Sequence, residues 1–314
     1  MTVRVALVGC GTVARMTHVP GLRLGGDAEV VVFAGRTLDS AVRARDEWGS
    51  GDATTDWAAA VARSDVDAVH VCVPNALHAE VAAAALRAGK HVLVEKPITT
   101  ALSDADVLLA LAGDRLLGVA FDARCSAGLQ ELRRRVPALG RLTSVEGSLG
   151  HGGPQLWAPY ATWFREPAQS GGGSLMDLGP HVVDAVRWCA SADVAEVSSA
   201  ELVGDVDEEA GLELRLTDGA VARLRVSWQA ERPTSRFAFT GERGELVLED
   251  GELRHDGVPV EVPPVEIHTA AGAFARAVAT GTPPAADGRD GRAALAVVLA
   301  GYQSARTREP VAVA

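Results

Sequence analysis

Val3-Arg4-Val5-Ala6-Leu7-Val8-Gly9-Cys10-Gly11-Thr12-Val13-Ala14 lies at the start of the chain. A short, unbroken apolar run that stops at glycine and passes into a helical stretch reads as a strand buried on both faces, a tight turn and a helix. The spacing is G-x-G-x-x-A, the form taken by dinucleotide-binding turns. Gly9 permits the turn, Gly11 lets a pyrophosphate reach the backbone, and Ala14 lets the helix lie close to the sheet. Thr12 and Val13 open that helix, whose N–H groups suit an anion. The competing reading is a glycine turn with a purely structural role.

Working outward, the same grammar repeats to about residue 120. Apolar strands at Val3–Val8, Val30–Ala34, Ala68–Val73, His91–Glu95 and Leu116–Ala120 alternate with helical stretches, one of them predicted to take Ser103 as its N-cap. Strand and helix in alternation mean parallel strands joined by crossovers, hence a doubly wound α/β domain. After about residue 124 the pattern changes. A strand at 141–150 and an irregular stretch at 151–170 precede a helix at 174–190. Strands punctuated by Asp218-Gly219, Gly241 and Asp250-Gly251 follow, and helices at 269–280 and 289–306 close the chain. Turns of that kind predict an α+β domain with an open, mainly antiparallel sheet. The expected division is 1–122 and 123–314, with the last helix able to pack back on the first domain.

The 314 residues are 47% hydrophobic and 23% charged, too apolar for a disordered chain. A net charge of −11 opposes binding to nucleic acid or anionic membranes, so an anionic ligand needs a local set of donors. Cys10, Cys72, Cys125 and Cys189 show no CxxC and no zinc spacing, and read as free thiols. His18, His70, His91, His255 and His268 show no ligand spacing, and no metal is expected. With no signal-peptide pattern and no apolar run near ~20 residues, a soluble, cytoplasmic protein is expected.

The end of the second strand bears on the choice of dinucleotide. NAD sites favour a carboxylate there, to take the ribose 2′-OH. This chain has Ala34-Gly35-Arg36-Thr37, with no acid before Asp39. Arg36 can pair with a 2′-phosphate and Thr37 can add a hydroxyl, which favours NADP(H) over NAD(H). The alternative is an arginine solvated ahead of the next helix.

Three further stretches carry a resemblance: Val73-Pro74-Asn75-Ala76-Leu77-His78, Gly89-Lys90-His91-Val92-Leu93-Val94-Glu95-Lys96-Pro97, and Gly171-Gly172-Gly173-Ser174-Leu175-Met176-Asp177-Leu178-Gly179-Pro180-His181-Val182-Val183-Asp184. With the glycine turn, they resemble the Gfo/Idh/MocA family of sugar and cyclitol oxidoreductases over essentially the whole chain. The resemblance implies a Rossmann domain followed by a substrate domain whose open sheet forms a homodimer or homotetramer. It also implies a nicotinamide near Val73, Pro74, Asn75, Glu95 and Lys96, and a cis Lys96–Pro97 bond. Substrate is then expected between the nicotinamide and the second domain.

Lys96 follows a parallel strand at its C-terminal end, where open α/β sheets place ligands, and its amine suits the proton of a reacting hydroxyl. Asp177 and His181 are four apart and share a helix face. Pro180 is expected in the first helical turn, which would put both near the helix mouth. The resemblance implies His181 as acid/base or hydroxyl ligand and Asp177 as its orienter or a substrate ligand. Whether Lys96 or His181 moves the proton stays open. His78 either touches cofactor or caps a helix. Arg124 corresponds to a substrate position in the family or forms an interdomain salt bridge. Trp157 and Trp163 wall the substrate or simply pack. The implied activity is hydride transfer at a secondary alcohol or ketone of a sugar, sugar nucleotide or cyclitol. The alternatives are a non-catalytic dinucleotide sensor and a glycosidase that uses bound nicotinamide transiently.

Overall fold

The computed structural model describes residues 2–267 and 269–313, so His268 lies outside the described residues. The chain divides into two compact units, Met1–Cys125 with Glu266–Arg292, and Ser126–Val265 with Ala293–Ala314.

The first unit is built on six parallel strands in the order β3-β2-β1-β4-β5-β6: β1 Val3–Val8, β2 Ala28–Ala34, β3 Asp52–Thr54, β4 Ala68–Val71, β5 His91–Val94 and β6 Leu117–Val119. This is the doubly wound Rossmann order, in which the chain reverses direction across the sheet beside β1. Helices α1 Val19–Gly25, α2 Leu38–Trp48, α3 Trp57–Ala62, α4 His78–Arg87 and α5 Leu102–Ala112 connect the strands. A π-helical turn, Ala14–His18, leads into α1, and the Val19 N–H reaches back to the Ala14 carbonyl. Pro20 explains the wide turn, since it has no N–H to offer and its ring crowds the preceding turn. The turn leaves His18 buried.

A single cut after residue 122 is not what the contacts give. Glu266–Arg292 returns to the first unit because α9, Ala270–Thr280, contributes Ala270, Ala271, Phe274 and Ala275 to the same core as Val5, Leu7, Phe33 and Leu93. Its approach to α1 requires Gly272, where a Cβ would stand 2.8 Å from the Gly21 carbonyl oxygen. Thr269 caps α9 by accepting the Gly272 N–H, and Asp122 Oδ1 accepts that of Ala270 at 2.7 Å. A second correction concerns α5. Its N-cap is Ala101, with no side-chain cap, and Ser103 is already inside the helix. The preceding Ile98 and Thr99 are fully buried, and Thr99 donates to the Ala101 carbonyl, which fixes where the helix begins.

The second unit contains α6 Ala127–Arg135, β7 Leu142–Gly150, the short α7 Pro167–Ser170, α8 Ser174–Ala190, β8 Val194–Val203, β9 Glu209–Leu216, β10 Val221–Ser227, β11 Thr234–Gly241, β12 Gly244–Glu249, β13 Glu252–His255, β14 Val258–Pro259 and β15 Val311–Ala312. Helix α10, Gly288–Thr307, begins in the first unit and ends in the second. The sheet order is β14-β13-β12-β11-β7-β10-β9-β8-β15. Among the described residues only the β7–β10 pair of this sheet is parallel, so the sheet is open and mainly antiparallel. Helix α8 lies against β7 and β10 with Val182, Val183 and Val186 buried. Pro180 departs from expectation, since it is inside α8, beyond its first turn. The helix extends N-terminally past the proline because its start is capped from a distant loop, as described below.

Candidate functional site

In the first unit the candidate cofactor residues gather at the C-terminal ends of β1, β2, β4 and β5. Gly9 has φ +94°, and a Cβ on it would stand 2.3 Å from the Cys72 carbonyl oxygen. Gly11, two residues on, would meet nothing within 4 Å. The turn is thus pressed against β4 at one glycine and open at the other, the cradle a pyrophosphate needs. Thr12 and Val13 are half-buried, and Ala14 is buried. These residues fit an NAD-type dinucleotide. Arg36 and Thr37 are exposed after β2. Thr37 caps α2, accepting the Ser40 N–H at 3.3 Å, while the Arg36 guanidinium has no side-chain hydrogen bond or ion pair among the described residues. Asp39, the nearest acid, pairs with Arg43.

Past β4, Val73 and Pro74 lead to the buried Asn75, and past β5 come Glu95, Lys96 and the cis peptide to Pro97. His78 ties the two segments together, its Nδ1 being 2.7 Å from the Pro97 carbonyl oxygen and its Nε2 2.9 Å from that of Val73. It is therefore a strap between loops, with both ring nitrogens facing carbonyls, and makes no cap with its side chain. Burial draws its pKa below the ordinary histidine value despite the two carbonyls. Glu95 is buried, with Oε1 2.8 Å from His18 Nε2 and Oε2 accepting the Lys96 N–H at 3.2 Å. The chain has two lysines, Lys90 and Lys96. Lys90 spends its amine on the carbonyls of Arg63 and Val66, at 2.7 and 2.8 Å, while Lys96 is half-buried at the ligand-binding end of the sheet. Arg124 is turned elsewhere in the same unit. Only 5% exposed, it donates to the Ala285 carbonyl at 2.9 Å and pairs with Asp290 at 2.9 Å. Both of those partners lie in the unit that holds Arg124, so this salt bridge does not join the two units.

In the second unit, α8 carries Asp177 and His181. Its start is held by Asp207 in the β8–β9 loop, whose carboxylate accepts the N–H groups of Gly173 and Leu175 at 2.8 and 2.9 Å and the Tyr302 hydroxyl at 3.1 Å. Burial pushes the Asp207 carboxyl up to about 6. Asp177 is buried near this end, and its Oδ2 accepts the indole N–H of Trp228 at 3.0 Å. His151, just past β7, has Nε2 3.7 Å from the same oxygen. Its Nδ1 accepts the Gly153 N–H at 2.9 Å, so the proton sits on Nε2, facing Asp177. Trp157 meets both His151 and Phe164 edge-on, and Trp163 stacks on Phe164 at 3.9 Å. His181 is half-buried, one helical turn beyond Asp177.

Comparison with known proteins decides the family. The sequence profile of the Gfo/Idh/MocA oxidoreductase family with its NAD-binding Rossmann fold matches residues 3–120, and that of the Gfo/Idh/MocA C-terminal domain matches residues 130–247. The chain belongs to the Gfo/Idh/MocA family. This Gfo/Idh/MocA chain is 29% identical to 1,5-anhydro-D-fructose reductase of Ensifer adhaerens, over 97% of its own length and 96% of the relative's. It is 32% identical to dTDP-3,4-didehydro-2,6-dideoxy-alpha-D-glucose 3-reductase of Actinomadura kijaniata, over 78% and 74%. Among solved structures, levoglucosan dehydrogenase in complex with NADH and levoglucosan superposes with a TM-score of 0.90 over the full length of both chains at 22% identity, which speaks to fold. The chain is therefore an oxidoreductase of this family.

Two residues beside the candidate Asp177 of this Gfo/Idh/MocA chain were missed from sequence. His151 and Trp228 both face Asp177, from 26 and 51 positions away, and no local spacing marks them. Among the described residues no group of His, Cys, Asp and Glu could hold a metal ion, and no helix is long and apolar enough to cross a membrane.

Proposed function

We propose that the protein is an NADP(H)-preferring oxidoreductase acting at a secondary alcohol or ketone carbon of a sugar, sugar nucleotide or cyclitol. Lys96 and His181 handle the proton, and Asp177 orients His181 or the substrate. The bound nicotinamide would supply or accept the hydride. Reduction leaves an alkoxide that must gain a proton, and oxidation needs a hydroxyl proton removed, so an amine or imidazole at the reacting oxygen serves both directions. The Asp177 carboxylate, backed by the Trp228 indole N–H and the Nε2–H of His151, suits a substrate hydroxyl that donates to the acid and accepts from the imidazole.

The observation that carries this reading is the division of labour between the two lysines. Lys90 is committed to backbone carbonyls, and Lys96 stands where a doubly wound sheet binds its ligand. The preference for NADP(H) is supported by the exposed Arg36 and by the missing carboxylate after β2. The named relatives support the carbohydrate class.

The test is turnover of 1,5-anhydro-D-fructose, dTDP-linked keto sugars, levoglucosan and cyclitols with NADPH and NADH, followed by nicotinamide absorbance. Lys96→Met is expected to lower kcat by about 10²-fold or more while NADPH affinity changes little. A wild-type protein that turns over no member of the panel with either cofactor refutes the reading, as does a Lys96→Met variant with normal kcat.

A further inference from the structure

Beneath the Lys96 segment lies a buried polar cluster with no part in the chemistry above. His18, from the π-helical turn, uses both ring nitrogens: Nε2 lies 2.8 Å from Glu95 Oε1, and Nδ1 lies 3.0 Å from Nδ1 of His70 on β4. His18 and His70 are 1% and 0% exposed, deep enough that apolar side chains would cost far less. Glu95 Oε2 in turn accepts the Lys96 N–H. We propose that His18 is a positioning residue of the Lys96 site: it holds Glu95, and Glu95 holds the peptide that carries the proton-transferring amine.

The proton arrangement follows from the contacts. A carboxylate only accepts, so His18 Nε2 carries a proton, and one further proton lies between the two Nδ1 atoms. The ionisable groups around His18 are Cys72 and His70 from the β4 side, Glu95 and Lys96 from the β5 side, and Asp122, whose Oδ1 caps α9; His78 lies beyond Glu95. Burial opposes a charge on His18, but the Glu95 carboxylate at Nε2 favours it, and His18 stands well above the ordinary histidine value. His70, by burial and by the neighbouring His18, falls well below it. The shared proton therefore belongs to His18, and the proton of His70 sits on Nε2, which has no hydrogen-bond partner among the described residues. An orphaned buried donor is a standing cost, and native proteins keep few of them. Here it is offset by a charged donor that fixes Glu95.

The inference rests on the assignment of Lys96 to the reaction, and its test reads His18 without turnover. Because the chain has two lysines, lysine-selective 15N labelling gives two backbone amide signals, with Lys90 as an internal control. In the NADH-bound protein, His18→Leu and Glu95→Gln are expected to move the Lys96 amide signal and leave that of Lys90 in place. His18→Gln, which keeps a donor, moves it less. Histidine 15N spectra at neutral pH are expected to show both nitrogens of His18 protonated, a signature lost in Glu95→Gln. In His18→Leu, NADH affinity stays within about threefold, while kcat on any active sugar falls about 10²-fold with little change in KM. A Lys96 amide that stays put in both His18→Leu and Glu95→Gln overturns the proposal. Parallel movement of both amides also overturns it, because that marks His18 as a packing residue. If the wild type turns over no sugar, the role of Lys96 fails, and the amide signals still judge the coupling of His18 to it.

Discussion

The two glycines of the first turn are expected to respond to alanine in opposite ways. At Gly9 an added methyl meets two obstacles. The backbone sits at φ +94°, where an L-residue costs about 1–2 kcal/mol. The methyl would also lie 2.3 Å from the Cys72 carbonyl oxygen and 2.4 Å from its carbon, backbone atoms just past the central strand β4 that are held by the Cys72 N–H to the Val8 carbonyl. Forcing such an overlap costs about a further 1–3 kcal/mol, so Gly9→Ala loses about 2–5 kcal/mol in all. At about 2–4 °C per kcal/mol for a domain of this size, its melting temperature falls by roughly 10 °C. At Gly11 the methyl enters open space, and φ lies outside the left-handed region. Folding then gains about 0.4–1 kcal/mol from the stiffer unfolded chain. The methyl instead occupies the approach path of the pyrophosphate. Losing one charge-assisted hydrogen bond of about 1.5–3 kcal/mol weakens binding by about 10- to 150-fold. NADH and NADPH share that pyrophosphate, so both must suffer alike. Differential scanning fluorimetry with nicotinamide fluorescence titrations reads both effects. A Gly11→Ala protein that binds both cofactors normally, or a Gly9→Ala protein that melts like the wild type, would refute the assignment of the turn.

Two further outcomes follow from single side chains. Arg36→Ala is expected to weaken NADPH by about 10- to 150-fold, the worth of a charge-assisted contact to a 2′-phosphate, with NADH affinity and melting temperature unchanged. Equal effects on the two cofactors would dismiss the 2′-phosphate role. Glu131 is pulled down to about 2 by Arg134 and Arg135. A lowered folded-state pKa gives stability that is present above the unfolded value and lost as pH falls through the folded one. Glu131→Gln should therefore melt below the wild type at neutral pH, with the gap closing between about pH 4.3 and about 2. A gap that stays constant over that range would show that the ion pairs contribute nothing.

The first sheet was readable because its information is local. Five of its strands are continuous apolar runs, and the glycine turn carries its own spacing. The sixth, β3 Asp52–Thr54, was not, because three residues of which one is exposed leave no pattern. The short strands β13, β14 and β15, of four, two and two residues, are likewise too short to leave a pattern. Helix α9 was placed in sequence, but its unit was not. Its alanines and Phe274 would fill the core of either sheet, and only the close approach of Gly272 to Gly21 shows which one it joined. Pro180 misled in a similar way. A local rule places proline in a first turn, yet Asp207, far along the chain, caps the helix early enough to leave the proline inside it.

The candidate site divides along the same line. Lys96, Asp177 and His181 became candidates because each stands in a motif, whereas the partners of Asp177 and Glu95 carry no such mark. Trp228 and His151 reach Asp177 from just past the ends of β10 and β7, and His18 reaches Glu95 across 77 residues of chain. Such partners are invisible to periodicity because a hydrogen bond between neighbouring elements constrains two positions and nothing between them. The sheet order makes these distant meetings possible. β1 lies beside β4 and β4 beside β5, so the turn after β1 must bring His18 close to whatever follows β5. A residue that supports a Rossmann site should therefore be sought in the first helix after the glycine turn, at a position turned inward. In this chain the π-helical turn ahead of Pro20 puts His18 there.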